Sequence, residues 1–151
     1  MDRDSVLRQI AEVLDSPADR TSKARRVAEA VRLAGNYRWV GVYDVGELEI
    51  AVIAWSGMGA PAHPRFPATR GLSGHAVSTR RAVVSNDVAN DPRYLTAFGS
   101  TRSEIIVPVI NPESQKVVGT LDVESEVKGA FTETDRELLE ECAGAMARLW
   151  M

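Results

Sequence analysis

Tyr37-Arg38-Trp39-Val40-Gly41-Val42-Tyr43-Asp44-Val45, then the turn residues Gly46-Glu47 and the run Leu48 to Trp55, mark where this chain stops reading as helix. β-Branched and aromatic residues on either side of a glycine-containing turn predict a hairpin. Upstream, Val6, Leu7, Ile10, Val13 and Leu14 recur at three-to-four spacing, and after Ser16-Pro17 so do Ala24, Val27, Val31 and Ala34. That pattern predicts two helices, or one broken at Pro17, stopped by Gly35-Asn36, which tolerate left-handed backbone. Downstream, a Gly/Pro/Ala-rich loop covers Ser56 to Pro67, Gly71-Leu72-Ser73-Gly74 opens a short helix to about Thr79, and Ala82 to Ser85 reads as a short strand. Asn86 to Thr101 is a long polar connection, of the length that usually forms a functional wall or lid. Ile105 to Ile110 and Val117 to Glu124 predict a second hairpin, turned by Asn111-Pro112-Glu113. Thr132 and Asp135 form a capping-box variant, and Leu138, Leu139, Cys142, Ala145, Met146 and Leu149 line one face of a closing helix. The order predicts one α+β domain over residues 1–151: helices in 1–34, a sheet with lid loops in 37–125, and a helix in 132–150.

Composition narrows the function. A chain of 151 residues can bury roughly two thirds of its unfolded surface in one core. It carries 44% hydrophobic and 26% charged residues and a net charge of −3, which offers no basic face for nucleic acid. No apolar stretch approaches the roughly 20 residues needed to span a bilayer. Met1-Asp2-Arg3-Asp4 leads into a charged amphipathic segment rather than the apolar run of a signal peptide. With a single cysteine, Cys142, there is no disulfide framework, so a reducing cytoplasm is the expected setting. Cys142 itself reads as a small buried hydrophobe in the last helix.

Alternation along strands sets the candidate site. Trp39, Gly41 and Tyr43 share one face, two aromatics flanking a glycine in an arrangement that either leaves a slot or fills the core. Thr120, Asp122 and Glu124 share a face of the last strand, opposite Leu121 and Val123. Neighbouring carboxylates on a partly buried face need an answering cation. A bound amine would serve, as would Arg70, Arg80, Arg81 or Arg102; plain exposure to solvent would remove the need. Glu104 enters an apolar strand, which marks either a surface end or a third acid of the same site. Tyr94 and Phe98 are an aromatic pair in the long connection. His75 stands at a helix start and His63 in a solvated loop. Metal-ligand spacing, a P-loop and a serine–histidine hydrolase pattern are all absent, so neither metal nor cofactor is expected.

These residues together resemble the GAF domains over nearly the whole chain. The resemblance is carried by Trp39 to Tyr43, Gly71-Leu72-Ser73-Gly74, Val84 to Val88 with Asp91-Pro92-Arg93-Tyr94, Arg102 to Pro108, Gly119 to Ser125 and Phe131 to Asp135. It implies a central antiparallel sheet with the terminal helices on one face and a ligand pocket under loops on the other. Within the family the chain looks most like the stand-alone free methionine-R-sulfoxide reductases, whose gripping aromatics would match Trp39 and Tyr43 and whose acids would match Glu104, Asp122 and Glu124. Their catalytic cysteine would fall near Ala97, and a second family cysteine is matched by Ser73. Reduction of a sulfoxide needs a thiolate to attack and a thiol to resolve, which neither alanine nor serine provides. Of the cyclic-nucleotide signature only Phe131 and Asp135 are present, with Arg136 where a glutamate belongs.

The first expectation is therefore a non-catalytic module for a small polar or amino-acid-like metabolite. Asp122, Glu124 and Glu104 would pair with an ammonium, Trp39 and Tyr43 would stack on it, and Tyr94 and Phe98 would close the lid. A weak reductase-like enzyme is one alternative. The other is an interaction module with a vestigial pocket; family resemblance and the apolar ending Leu149-Trp150-Met151 point it toward a homodimer through the terminal helices.

Overall fold

Two aspartates start the N-terminal helices. In the computed structural model, which describes residues 2–95 and 98–151, α1 (Arg3–Asp15) is capped by Asp2, whose carboxylate accepts from the Ser5 N–H at 2.8 Å. Helix α2 (Arg20–Gly35) is capped in the same way by Asp19, and it ends at Asn36 in left-handed backbone, φ 53°. The break at Pro17 thus separates two helices.

Six antiparallel strands follow: β1 (Trp39–Val45), β2 (Glu49–Gly57), β3 (Arg65–Pro67), β4 (Val83–Ser85), β5 (Ser103–Ile110) and β6 (Val117–Ser125). Their order across the sheet is β3-β2-β1-β6-β5-β4, so the two predicted hairpins meet at the β1–β6 seam. Helix α3 (Gly71–Thr79) lies between β3 and β4 in the chain, and α4 (Glu133–Met146) closes it, continued by a 3-10 turn over Ala147–Trp150. Strand β3 corrects the reading of 56–67 as loop throughout. Prolines flank Phe66, but an edge strand can omit the donor that proline lacks, and the Pro64 carbonyl accepts from the Val52 N–H at 2.8 Å.

One face of the sheet makes the main core. Val40, Val42, Ile105, Val107, Leu121 and Val123 pack against Val6, Ile10, Val27 and Val31 of the first helices and against Leu139, Cys142 and Met146 of α4. Full burial of each large aliphatic side chain is worth about 1.5–3 kcal/mol, so this layer supplies most of the cohesion. The opposite face carries two smaller clusters, Trp39–Tyr43–Ile50 and Leu72–Ala76–Val83–Ile106, roofed by α3 and the long loops. No helix among the described residues is long and apolar enough to cross a membrane.

The closing helix begins with the expected capping box: the Asp135 N–H donates to Thr132 Oγ1, and the Thr132 N–H donates to Asp135 Oδ2 at 2.9 Å. The other Asp135 oxygen accepts from the Tyr37 hydroxyl at 2.8 Å, tying the entry of β1 to α4. Phe131 and Asp135 therefore do structural work here. At the far end, Leu149 is buried and the Trp150 N–H donates to Asp44 at 2.7 Å, with its ring over Gly119. Leu149 and Trp150 thus dock on their own chain, which weakens the apolar ending as an argument for pairing two chains, while Met151 stays exposed. A Cβ at Gly119 would overlap the Trp150 ring and lie 2.7 Å from the Tyr43 carbonyl oxygen. Gly119→Ala is expected to cost about 1–3 kcal/mol. Thermal melting should show that as roughly 2–4 °C lost per kcal/mol.

Candidate functional site

Register brings the acids together. Across the sheet, Trp39 pairs with Glu124, Glu124 with Glu104, and Glu104 with Ser85, while the next row runs Gly41, Asp122, Ile106, Val83. Each row alternates with a core row, so Glu104, Asp122 and Glu124 must all project to the face away from the terminal helices. There they are 5%, 4% and 1% exposed, and one oxygen from each lies within 4.8 Å of the others. Burial of Glu104 overturns the reading of a surface strand end.

No lysine or arginine among the described residues forms an ion pair with this triad. Arg70, Arg80, Arg81 and Arg102 are all exposed, and Arg102 donates instead to the carbonyls of Gly99 and Thr101. Arg38 exerts a weak pull on Glu124 through space but is paired with Glu126 at 2.8 Å. The internal partner is neutral: Thr101 Oγ1 donates to Glu124 Oε1 at 2.8 Å, and the Glu104 carboxyl lies beside those of Asp122 and Glu124. Asp122 Oδ1, Glu124 Oε2 and Thr120 Oγ1 have no hydrogen-bond partner among the described residues.

Desolvation dominates the electrostatics. Burial, then the charges of Asp122 and Glu124, holds Glu104 well above the usual carboxylate range. Burial, followed by the charge of Asp122, pushes Glu124 up to about 9, and burial raises Asp122 to about 6. The Tyr43 phenol is raised by its own burial and then by the three acids. At neutral pH the triad is therefore only partly ionised, with Glu104 placed to hold a proton between its neighbours.

The aromatics close over the triad's flank. Trp39 donates its indole N–H to the Gly59 carbonyl at 3.1 Å and meets Phe98 edge-on, with centroids 5.3 Å apart. Tyr43 meets Phe66 edge-on at 6.1 Å. The slot expected over Gly41 is occupied by the two rings themselves, since a Cβ there would overlap Trp39 and lie 2.9 Å from Tyr43. What remains is a cavity of about 30 Å³ walled by Tyr43, His63, Ser73, Leu95, Glu104 and Asp122 among others. Trp39, Phe98 and Glu124 adjoin this site without lining the cavity. Tyr94 stands apart, packed on the Leu72–Ile106 cluster and lining an outer groove of about 670 Å³ with Arg70 and His75. The position near Ala97 lies outside the described residues. Thr101, Phe66, His63 and Leu95 were not legible as site residues; each comes from a loop or edge whose position is set by tertiary contacts.

Cys142 lies in the helix-side core, across the sheet from the acids, and burial pushes its thiol up to about 12. A thiol so placed is inert.

A sheet covered by helices on one face, with buried polar groups under loops on the other, defines an α+β ligand-binding class of domain. The family model described as GAF domain matches residues 18–150, and the chain belongs to that family. Its fold superposes on a free methionine-R-sulfoxide reductase from Neisseria meningitidis in complex with its substrate, with a TM-score of 0.87 at 29% identity, covering 98% of this chain and 87% of that one. A type II free methionine-R-sulfoxide reductase from Thermoplasma acidophilum is 32% identical with a TM-score of 0.77, over 87% of this chain and 94% of that one. Protein YtsP of Bacillus subtilis is 30% identical over 73% of this chain, and the match spans 66% of its length. The free methionine-R-sulfoxide reductase of Saccharomyces cerevisiae is 30% identical over 74% of this chain, spanning 62% of its own length.

Acids whose folded pKa is raised contribute stability that is complete below their unfolded value, near 4, and is lost as pH rises through the folded one. For Asp122 and Glu124 the loss runs through about 6 and about 9. The melting temperature of ligand-free protein should fall steadily between pH 5 and pH 9. Glu124→Gln should flatten the upper half of that fall and raise the melting temperature at pH 8 by about 2–4 °C or more, the equivalent of 1 kcal/mol in a domain of this size.

Proposed function

We propose that this domain is a non-catalytic receptor for a small polar, amino-acid-like metabolite, held by Glu104, Asp122 and Glu124 beside Trp39 and Tyr43. The observation that supports this most directly is the buried triad, which has no cationic side-chain partner among the described residues. Burying three carboxyl groups destabilises the fold, and a bound polar group that meets their free oxygens offsets that penalty. Free methionine-R-sulfoxide enters the reading through the names of the similar proteins and is the first ligand to try.

Sulfur chemistry supports the non-catalytic reading. The chain's single cysteine is buried in the opposite layer. Ser73, at the cavity wall, cannot form the sulfenic acid or disulfide that sulfoxide reduction requires. Access needs movement, because about 30 Å³ accommodates a water-sized group rather than an amino acid. The Trp39–Phe98 contact and the Trp39–Gly59 hydrogen bond are the ties that would open.

A panel of amino acids, amines and free methionine-R-sulfoxide should include at least one compound giving a saturable rise in melting temperature. The rise corresponds to about 2.7 kcal/mol at a hundredfold excess over Kd. A panel at millimolar concentration that gives no shift contradicts the proposal. Incubation with free methionine-R-sulfoxide and dithiothreitol should yield no methionine. Turnover that Glu104→Gln abolishes would establish the enzyme reading instead.

The pH dependence of affinity identifies the group that faces the acids. An ammonium needs ionised carboxylates, so its affinity rises from pH 6 to pH 9; an acceptor oxygen, such as that of a sulfoxide, needs protonated ones, so its affinity falls. Burial, which holds Glu104 well above the usual carboxylate range, favours the second mode for neutral ligands. Assembly as a homodimer through the terminal helices is a separate proposal, supported by family membership. Sedimentation should give twice the 16.5 kDa chain mass.

A further inference from the structure

The organic-ligand reading leaves one feature unused: the triad is also an all-oxygen donor set of ionic dimensions. One oxygen each from Glu104, Asp122 and Glu124 falls within a span of 4.8 Å. That separation is short enough for all three oxygens to reach one hard cation, whose oxygen ligands stand at about 2.0–2.6 Å.

Independent of the cluster's charge, two of its oxygens are oriented and free. Thr101 engages Glu124 Oε1 and leaves Oε2 without a partner among the described residues; Asp122 Oδ1 is likewise unpartnered. Both side chains are more than nine-tenths buried. The adjoining cavity of about 30 Å³ is large enough for a water that would complete the coordination shell, and too small for an organic guest. Hard oxygen donors without sulfur or imidazole select alkaline-earth and lanthanide ions over zinc or copper. Linear spacing hid this possibility: Asp122 and Glu124 are two apart on β6, and the third acid comes from the neighbouring strand.

We propose that Glu104, Asp122 and Glu124 form a calcium-class hard-cation site that competes with the organic ligand for the same carboxylates. The three acids sit on central, hydrogen-bonded strands, so the ligands are preorganised and the ion binds without a folding step. This goes beyond the metabolite reading, because an ion would sit between the three carboxylates when no metabolite is present.

Terbium, a hard lanthanide of calcium-like radius, tests it on chelator-treated full-length protein. Trp39 and Tyr43 border the triad, so excitation of the aromatics should give saturable sensitised terbium emission that calcium displaces. Calcium up to about 10 mM should also raise the melting temperature. Asp122→Asn and Glu124→Gln should each weaken both responses at least about tenfold, as expected when a ligand charge is removed. Both variants relieve repulsion and should stay folded, which melting in chelator checks. Absence of emission and of a calcium shift, or equal responses in Asp122→Asn, which would signify surface binding, overturns the proposal. Organic-ligand panels run in excess chelator report on the metabolite reading separately, so either can fail alone.

Discussion

Three carboxyl groups buried side by side on a β-sheet, with no lysine or arginine paired to them among the described residues, are the constraint on which the rest of this molecule depends. Removing one ionised carboxylate from water costs several kcal/mol even after relaxation, and neighbouring like charges add to it. The fold meets that cost by letting protons neutralise part of the charge, by engaging one oxygen of Glu124 with Thr101, and by the large apolar layer on the opposite face. A site maintained against such a penalty differs from a surface patch of acids, which water would solvate at no expense to stability.

The same face shows how backbone geometry converts sequence into chemistry. Because β1 and β6 pair at the centre of the sheet, Trp39 stands opposite Glu124 and Gly41 opposite Asp122. A one-residue slip would exchange the acids for Leu121 and Val123 and destroy both core and site at once. Gly41 lets the Trp39 and Tyr43 rings lean together over bare backbone, so the aromatics seal the pocket's flank rather than leaving a slot. Under the proposed function, entry of a metabolite would require these rings and the adjoining loops to move.

Much of this was legible in the sequence because it rests on local rules. Alternation identified the shared faces of Trp39 with Tyr43 and of Asp122 with Glu124, and the spacing of Thr132 and Asp135 identified a helix start. Burial was not legible: the pattern around Glu104 is the same whether the strand end meets water or lies under a loop. Nor was the loop contribution, since Thr101, His63 and Leu95 reach the site through contacts between segments distant in the chain. The edge strand β3 was hidden by its flanking prolines, whose exclusion from sheets applies to interior strands. Tyr94 was grouped with Phe98 by proximity in sequence, but the two side chains pack on different clusters.

Carboxyl-resolved NMR titration of the ligand-free, metal-free protein tests the central claim most directly. The account requires that Glu124 remain protonated at neutral pH, that Glu104 titrate well above the usual carboxylate range, and that the Asp122 signal move in a step distinct from those of the exposed acids. Titration of all three near pH 4, the range of unperturbed carboxylates, would show them open to water and contradict it.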